Sequence, residues 1–346
     1  MRGRAISCGP SGDPTSIQDR KSLRYAKKGI LLAMLSGLIF SVDGLLIKNA
    51  AGHHPFNQPG LMLLIPLVCA GVHDMSAALV TTFINWRSGR LPELWFSLVS
   101  KPGRSVIFGA LIGALCGMGG YMAALQLAGA AYVLPITSLY PAVAAVLAVF
   151  VLKERISSRA WLGLTLCIMG AAAIGYSSPG GETGNLFYLG LAFAVLAAIG
   201  WGTEGVCATS GMDFIEPVVA LNIYYCVSTL LYVGVLIPVA AWIVLPGKEI
   251  LPVLGDFALS RGTLFIACAG FFGSCSYRCW YTAMNMTGVS RAMALNISYA
   301  LWGIVLSSIF TDVDITRGLV VGAGIIFSGM LLVIGNPKDM INLRES

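Results

Sequence analysis

The sequence predicts an all-α membrane protein of ten transmembrane helices arranged as two inverted five-helix repeats, on three observations. Hydrophobic residues make up 57% of the 346 and charged residues 11%, whereas a soluble domain carries roughly 25% charged and needs that charge to stay dispersed. The apolar residues fall into runs of about 20, the length that crosses a hydrocarbon core as a helix. The chain also aligns with itself at an offset near 160.

Taken in order, the runs lie at 29–50, 61–85, 104–127, 131–152, 160–178, 187–208, 217–244, 262–285, 291–310 and 318–335. Residues 1–28 are polar and basic, with no short apolar core before a small-residue cleavage site, and read as a disordered cytoplasmic tail rather than a signal peptide. The first repeat is placed at 29–178, the second at 186–335, and a second cytoplasmic tail at 336–346. The nine cysteines lie almost entirely in apolar runs without a CxxC pair or Cys/His cluster, and are expected to pack as small apolar side chains. No metal site is expected from them.

Lysine and arginine set the orientation. With the N-terminus inside, 17 of the 22 fall on cytoplasmic segments; Lys48, Lys248, Arg261 and Arg317 fall outside, and Arg278 lies within a run. Both termini are therefore expected in the cytoplasm. The net charge of +6 reads as a topology signal and not as a nucleic-acid footprint.

In the self-alignment, LSGLIFSVDG from Leu35 meets LAAIGWGTEG from Leu196, which pairs Gly29 with Gly190, Phe40 with Trp201 and Asp43 with Glu204. At offset 159, ITSLYP from Ile136 meets LNISYA from Leu295, pairing Thr137 with Asn296 and Tyr140 with Tyr299; Gly163 and Gly170 meet Gly322 and Gly329. Five spans per half is odd, so the halves enter the bilayer in opposite senses. Inverted repeats place a binding site near the midplane and open it alternately to each side.

Asp43, Asp74, Glu204 and Arg278 are the ionisable residues placed deep in apolar runs. Each costs about 2.5–3.5 kcal/mol at a helix centre on insertion scales, so they are expected to face a cavity or one another and not lipid. Arg278 and Asp74 are assigned to coupling or charge pairing, with Arg278 balancing one of the acids. The remaining acids suit a cation, a proton or both. His73 precedes Asp74, but neighbours on a helix point about 100° apart and cannot both face one ligand; helix contacts or local hydrogen bonding are the preferred reading.

Aromatic residues give a second signal. Ser274, Tyr277, Arg278, Tyr281 and Asn285 form one stripe at helical spacing; Asn296, Tyr299 and Gly303 share a face with Trp302 at its edge; Trp201 stands one turn before Glu204. Around a cavity such rings hold an ammonium group by cation–π contact, worth about 2 kcal/mol or more when desolvated. Trp86, Trp95, Trp161 and Trp242 fit interface anchoring instead. Nothing in the sequence forms a nucleophile triad, a metal-ligand spacing or a phosphate loop, so an enzyme is not expected and no cofactor is called for.

TSLYPAVAAVLAVFVLKERIS from Thr137 resembles the hallmark segment of the drug/metabolite transporter superfamily, ten-helix carriers with an EamA-type repeat. The resemblance covers about 29–335. Within that superfamily, VHD at Val72, GTE at Gly202 and LNISYALW from Leu295 are similar to bacterial choline permeases, although Asp43 and Arg278 have no counterpart there. The resemblance implies proton-driven uptake of a small organic cation such as choline across the inner membrane, held in an aromatic cage. It places Glu204, Tyr299 and Trp302 near the site, with Tyr140 and Tyr281 as walls. Asp43, Trp201 and Asn296 complete the expected substrate-binding set. An exporter of amino acids or other metabolites on the same fold is the alternative. The implied partners are the cationic substrate, a proton and the lipid bilayer, with a homodimer as the oligomer to consider.

Overall fold

A computed structural model describes residues 17–61, 63–128, 133, 136–175, 185–245, 250–310 and 317–334. Among the described residues there is no β-strand. The helices are α1 (Ile17–Ala50), α2 (Leu64–Arg87), α3 (Leu91–Val99), α4 (Lys101–Ile112), α5 (Gly119–Ala128), α6 (Tyr140–Val151), α7 (Ser158–Gly175), α8 (Asn185–Gly211), α9 (Pro217–Leu231), α10 (Ile237–Val244), α11 (Ile250–Leu259), α12 (Arg261–Thr287), α13 (Val289–Asn296), α14 (Tyr299–Phe310) and α15 (Arg317–Ile334). Two π-helical segments, Gly113–Met118 and Tyr232–Leu236, join α4 to α5 and α9 to α10.

Among the described residues, five stretches are long and apolar enough to cross a membrane: Arg24–Ala50, Leu64–Arg87, Lys101–Ala124, Asn185–Gly211 and Pro217–Val244. A sixth arises if α11 and α12, bent by 63°, form one broken span. The remaining apolar runs are carried by α6, by α7, by α13 with α14, and by α15. The protein is an all-α membrane protein.

The sequence assigned residues 1–28 to a disordered tail; the structure corrects this for 17–28, which are the first turns of α1. At 1.5 Å per residue a helix of 34 residues is about 51 Å long, well beyond a hydrocarbon core of about 30 Å. The basic turns around Arg24, Lys27 and Lys28 therefore project past the apolar part, where they need no burial. Residues 1–16 lie outside the described part.

Two short helices escaped the sequence reading. In α3, Trp95, Phe96 and Val99 are exposed, and in α11 so are Leu251 and Leu259; short helices with an outward apolar face suit the membrane interface. Both are followed by a serine N-cap. Ser100 accepts from Gly103 N at 3.0 Å and Ser260 from Thr263 N at 3.1 Å, satisfying an otherwise orphaned amide at the start of α4 and of α12. The two serines stand 160 residues apart, so the cap belongs to the repeat.

Helix packing follows the same exchange. α1 lies along α12 as α8 lies along α4 and α5, while α1 meets α14 as α8 meets α6. Two pairings map onto themselves, α2 with α9 and α7 with α15. At the α7–α15 crossing, a Cβ on Gly163 would stand 2.6 Å from Gly329 O, and a Cβ on Gly329 would stand 2.6 Å from Gly163 O. Gly170 meets Gly322 O in the same way, at 2.7 Å. Small residues at such crossings let helix backbones approach closely.

Candidate functional site

A cavity opens between the halves, lined by Phe40, Tyr121, Thr137, Tyr140, Trp201, Ser276, Tyr277, Trp280, Asn296 and Tyr299. Seven of the ten are aromatic, and none is charged. Eight form four repeat-related pairs 159 to 161 residues apart: Phe40 with Trp201, Tyr121 with Trp280, Thr137 with Asn296, and Tyr140 with Tyr299. The cavity thus sits on the pseudo-two-fold relating the halves, the place an inverted repeat assigns to substrate.

Chain breaks supply part of the lining. α13 ends at Asn296 and α14 starts at Tyr299, while α6 starts at Tyr140 with Pro141 in its first turn. Near these breaks a hydrogen-bond chain fixes the walls. Tyr140 donates to Asn296 Oδ1 at 2.8 Å, Asn296 Nδ2 donates to Ser36 Oγ at 2.6 Å, and Ser276 Oγ donates to Ser36 O at 2.8 Å. The amide of Asn296 is thereby committed to holding α1, α6 and α13 in register. Ring contacts complete the enclosure, with centroids 5.0 Å apart for Tyr277 and Trp280, 5.2 Å for Tyr121 and Trp201, 5.6 Å for Phe40 and Tyr299, and 6.2 Å for Tyr140 and Trp201. All lie in the range in which aromatic quadrupoles pack favourably.

Acids stand one helical turn beyond two of these walls. Glu204 follows Trp201 on α8, is 0% exposed, and accepts from the Tyr281 hydroxyl at 2.9 Å through Oε1. Its Oε2 has no hydrogen-bond partner and is seated against Gly113 in the π-helical segment, where a Cβ would stand 2.5 Å away. π-Helical turns recur at functional sites because the widened turn displaces backbone groups from the regular ladder. Here the two segments touch, with Tyr232 donating to Ala114 O at 2.6 Å.

Asp43 follows Phe40 on α1 and faces α2. His73 Nε2 lies 3.3 Å from Asp43 Oδ1, an ion-pair separation without hydrogen-bond alignment, while His73 Nδ1 donates to Asp74 Oδ1 at 2.8 Å. Ser228 of α9 donates to the other oxygen of Asp74. The imidazole fits because Gly273 of α12 presents only a Cα; a Cβ there would stand 2.5 Å from Nε2. Gly273 and Gly113 are 160 residues apart, so each repeat-related acid has a repeat-related glycine beside its cluster.

The profile of the EamA-like transporter family matches residues 27–176 and again 188–335. The chain belongs to that family. Protein LicB of Haemophilus influenzae (strain ATCC 51907 / DSM 11121 / KW20 / Rd) is 26% identical to this EamA-like transporter over 280 residues, 80% of this chain and 87% of LicB. A protein known from its crystal structure shares the fold with a TM-score of 0.67 and 14% identity, over 89% of this chain and 97% of its own.

Of the residues singled out from sequence, Tyr140, Trp201, Asn296 and Tyr299 line the cavity of this EamA-like transporter. Tyr281 and Glu204 stand together in the shell behind it, Asp43 and Asp74 share the histidine cluster, and Trp302 is half-buried outside the lining. Arg278 requires a correction. Its side chain is exposed, and among the described residues it forms no ion pair with Asp43, Asp74 or Glu204. The neighbouring Tyr277 is buried, and the 100° step between them turns Arg278 off the inner face, where its long stem can reach outward. The buried base in the acidic cluster is His73, for which the sequence favours helix contacts or local hydrogen bonding, and it makes both, to Asp43 of α1 and to the adjacent Asp74. Adjacent helical residues do diverge, but an imidazole on one has two nitrogens on opposite edges and can bind its neighbour through one while facing another helix through the other. Tyr121 and Trp280 were missed, although offset 159 pairs them.

Proposed function

We propose that this EamA-like transporter takes up a small organic cation such as choline, driven by a proton, across the plasma membrane with both termini cytoplasmic. The observation that carries the reading is the cavity wall: seven aromatic rings, three hydrogen-bonding side chains and no charged group. A quaternary ammonium group is bulky, weakly hydrated and has no N–H to donate, so π-faces suit it, at about 2 kcal/mol or more for a desolvated contact. Glu204, one turn beyond Trp201 and hydrogen-bonded to Tyr281, is the acid placed to supply a negative charge behind the wall without a direct ion pair. The resemblance of VHD, GTE and LNISYALW to choline permeases supports the same substrate and direction.

Export of amino acids, the second reading, is less well supported by the lining. An α-carboxylate entering a low-dielectric cavity needs a cationic or amide-rich partner, and no lysine, arginine or histidine lines this one. The test uses purified protein in proteoliposomes with an outside-acid gradient. Labelled choline is expected to accumulate, Glu204→Gln to lower the rate at least about tenfold, and Trp201→Ala to weaken choline roughly 30-fold, the factor corresponding to 2 kcal/mol. No choline uptake by the wild type, or full uptake by Glu204→Gln, would sink the proposal.

A further inference from the structure

The cation reading leaves one buried ionisable cluster unused. Asp43, His73 and Asp74 are each 1% exposed or less and come from two helices, α1 and α2, that meet here across the glycine seat of α12. Three buried ionisable groups at membrane depth are costly and are retained for packing or for function.

Geometry separates their roles. Asp74 has both oxygens engaged, one by His73 Nδ1 and one by Ser228, so it is held as an acceptor and fixes the imidazole with Nδ1–H toward itself. Asp43 has neither oxygen hydrogen-bonded; its one close polar neighbour among the described residues is His73 Nε2. A metal ion does not fit, since each nitrogen of the imidazole already faces a different carboxylate, and no metal-binding group of His, Cys, Asp and Glu exists among the described residues. A proton does fit: it needs one lone pair, and Asp43 offers an unengaged one.

We infer that Asp43, His73 and Asp74 form the proton-binding site of this carrier, with the exchangeable proton on the face between Asp43 and His73 Nε2. The assignment rests on the cation-uptake reading and deepens it. With imidazolium and two carboxylates the triad carries one net negative charge; a proton arriving on Asp43 neutralises it and dissolves the ion pair joining α1 to α2. No bond other than O–H forms, and the same proton leaves from Asp43 on the opposite side of the membrane.

The cage lies one turn away on two helices. Phe40 and Tyr277 line it, Phe40 three residues before Asp43 on α1 and Tyr277 four residues after Gly273 on α12, about 4.5–6 Å along each axis. A shift of α1 or α12 on release of the ion pair therefore reaches the cage walls directly. Among the described residues, the other ionisable groups in electrostatic range of the two carboxylates are Glu204 of α8, Tyr121 of α5, Tyr224 and Tyr225 of α9, Tyr232 of the π-helical segment after it, and Tyr277 of α12.

The test compares wild type, His73→Gln and Asp43→Asn in proteoliposomes, reading choline-triggered proton uptake with an internal pH dye alongside labelled choline accumulation, choline counterflow at equal pH, and thermal stabilisation by choline in detergent. Both variants are expected to lose the proton signal and accumulation above equilibrium, while counterflow and choline stabilisation persist. A retained proton signal in either folded variant overturns the assignment. So does loss of counterflow together with accumulation, the outcome of a purely structural triad. If His73→Gln fails to fold, Asp43→Asn alone decides. A wild type that exchanges choline without moving protons overturns the assignment and the proton half of the function while leaving the cage; one that does not bind choline removes both.

Discussion

At Gly273 and Gly113 a single hydrogen atom stands where any other residue would carry carbon, and both positions press on a buried ionisable group. Gly273→Ala forces the His73 imidazole off its seat in a packed interior, an overpacking that costs about 1–3 kcal/mol. Gly44→Ala, one residue past Asp43 on α1, meets nothing within 4 Å and exchanges a poor helix former for the best one. Thermal melting in detergent is therefore expected to fall for Gly273→Ala and to hold or rise for Gly44→Ala. Equal effects at the two positions would show that the glycine seat is not what places the imidazole. The acids were legible in the sequence because carboxylates inside apolar runs are rare, and so was a local role for His73 beside Asp74; its link to Asp43 was not, because that residue is contributed by another helix. The cavity lining was legible where repeat alignment picked out Tyr140, Tyr299 and Trp201. It was obscured at Trp280 and Tyr121, where an aromatic ring in an apolar run has a second common use as an interface anchor.

Element boundaries show a similar division. The apolar run 291–310 reads as one helix, yet the chain breaks between Asn296 and Tyr299 with neither proline nor glycine at the break. The cause is tertiary: α1 passes so close that a Cβ on Gly37 would stand 2.9 Å from both Asn296 O and Tyr299 N. Periodicity carries no record of such an approach. At the other end of α13, Glu154 leaves α6 and accepts from Val289 N at 2.9 Å and Ser290 Oγ at 2.8 Å, and Gly288 turns the chain with φ of 85°. A carboxylate at a helix N-terminus satisfies orphaned amides and complements the dipole. Glu154→Ala is expected to lower stability by about 1–2 kcal/mol, and Glu154→Gln by less, because its amide oxygen still accepts. Melting of the two variants checks the order; a glutamine variant as damaged as the alanine one would make the charge, rather than the acceptor, the stabilising feature.

At the scale of the whole molecule, the inverted repeat separates positions that maintain the fold from positions that move substrate. Symmetric contacts should respond symmetrically. Gly163 and Gly329 each press on the other's carbonyl at 2.6 Å, so Gly163→Val and Gly329→Val are expected to lower the melting temperature by similar amounts, and the double variant by less than the sum, because both strain one crossing. Asp43 and Glu204 are equally matched in the alignment but differ in company: one faces an imidazole held by Asp74, the other a phenol with its second oxygen unpartnered. Asp43→Asn and Glu204→Gln should therefore differ in kind, the first uncoupling choline movement from the pH gradient and the second weakening choline itself, as measured by counterflow half-saturation beside gradient-driven accumulation. If both acids gave one phenotype while the two glycines gave different ones, repeat symmetry would govern the chemistry and not the scaffold, the reverse of what these contacts predict.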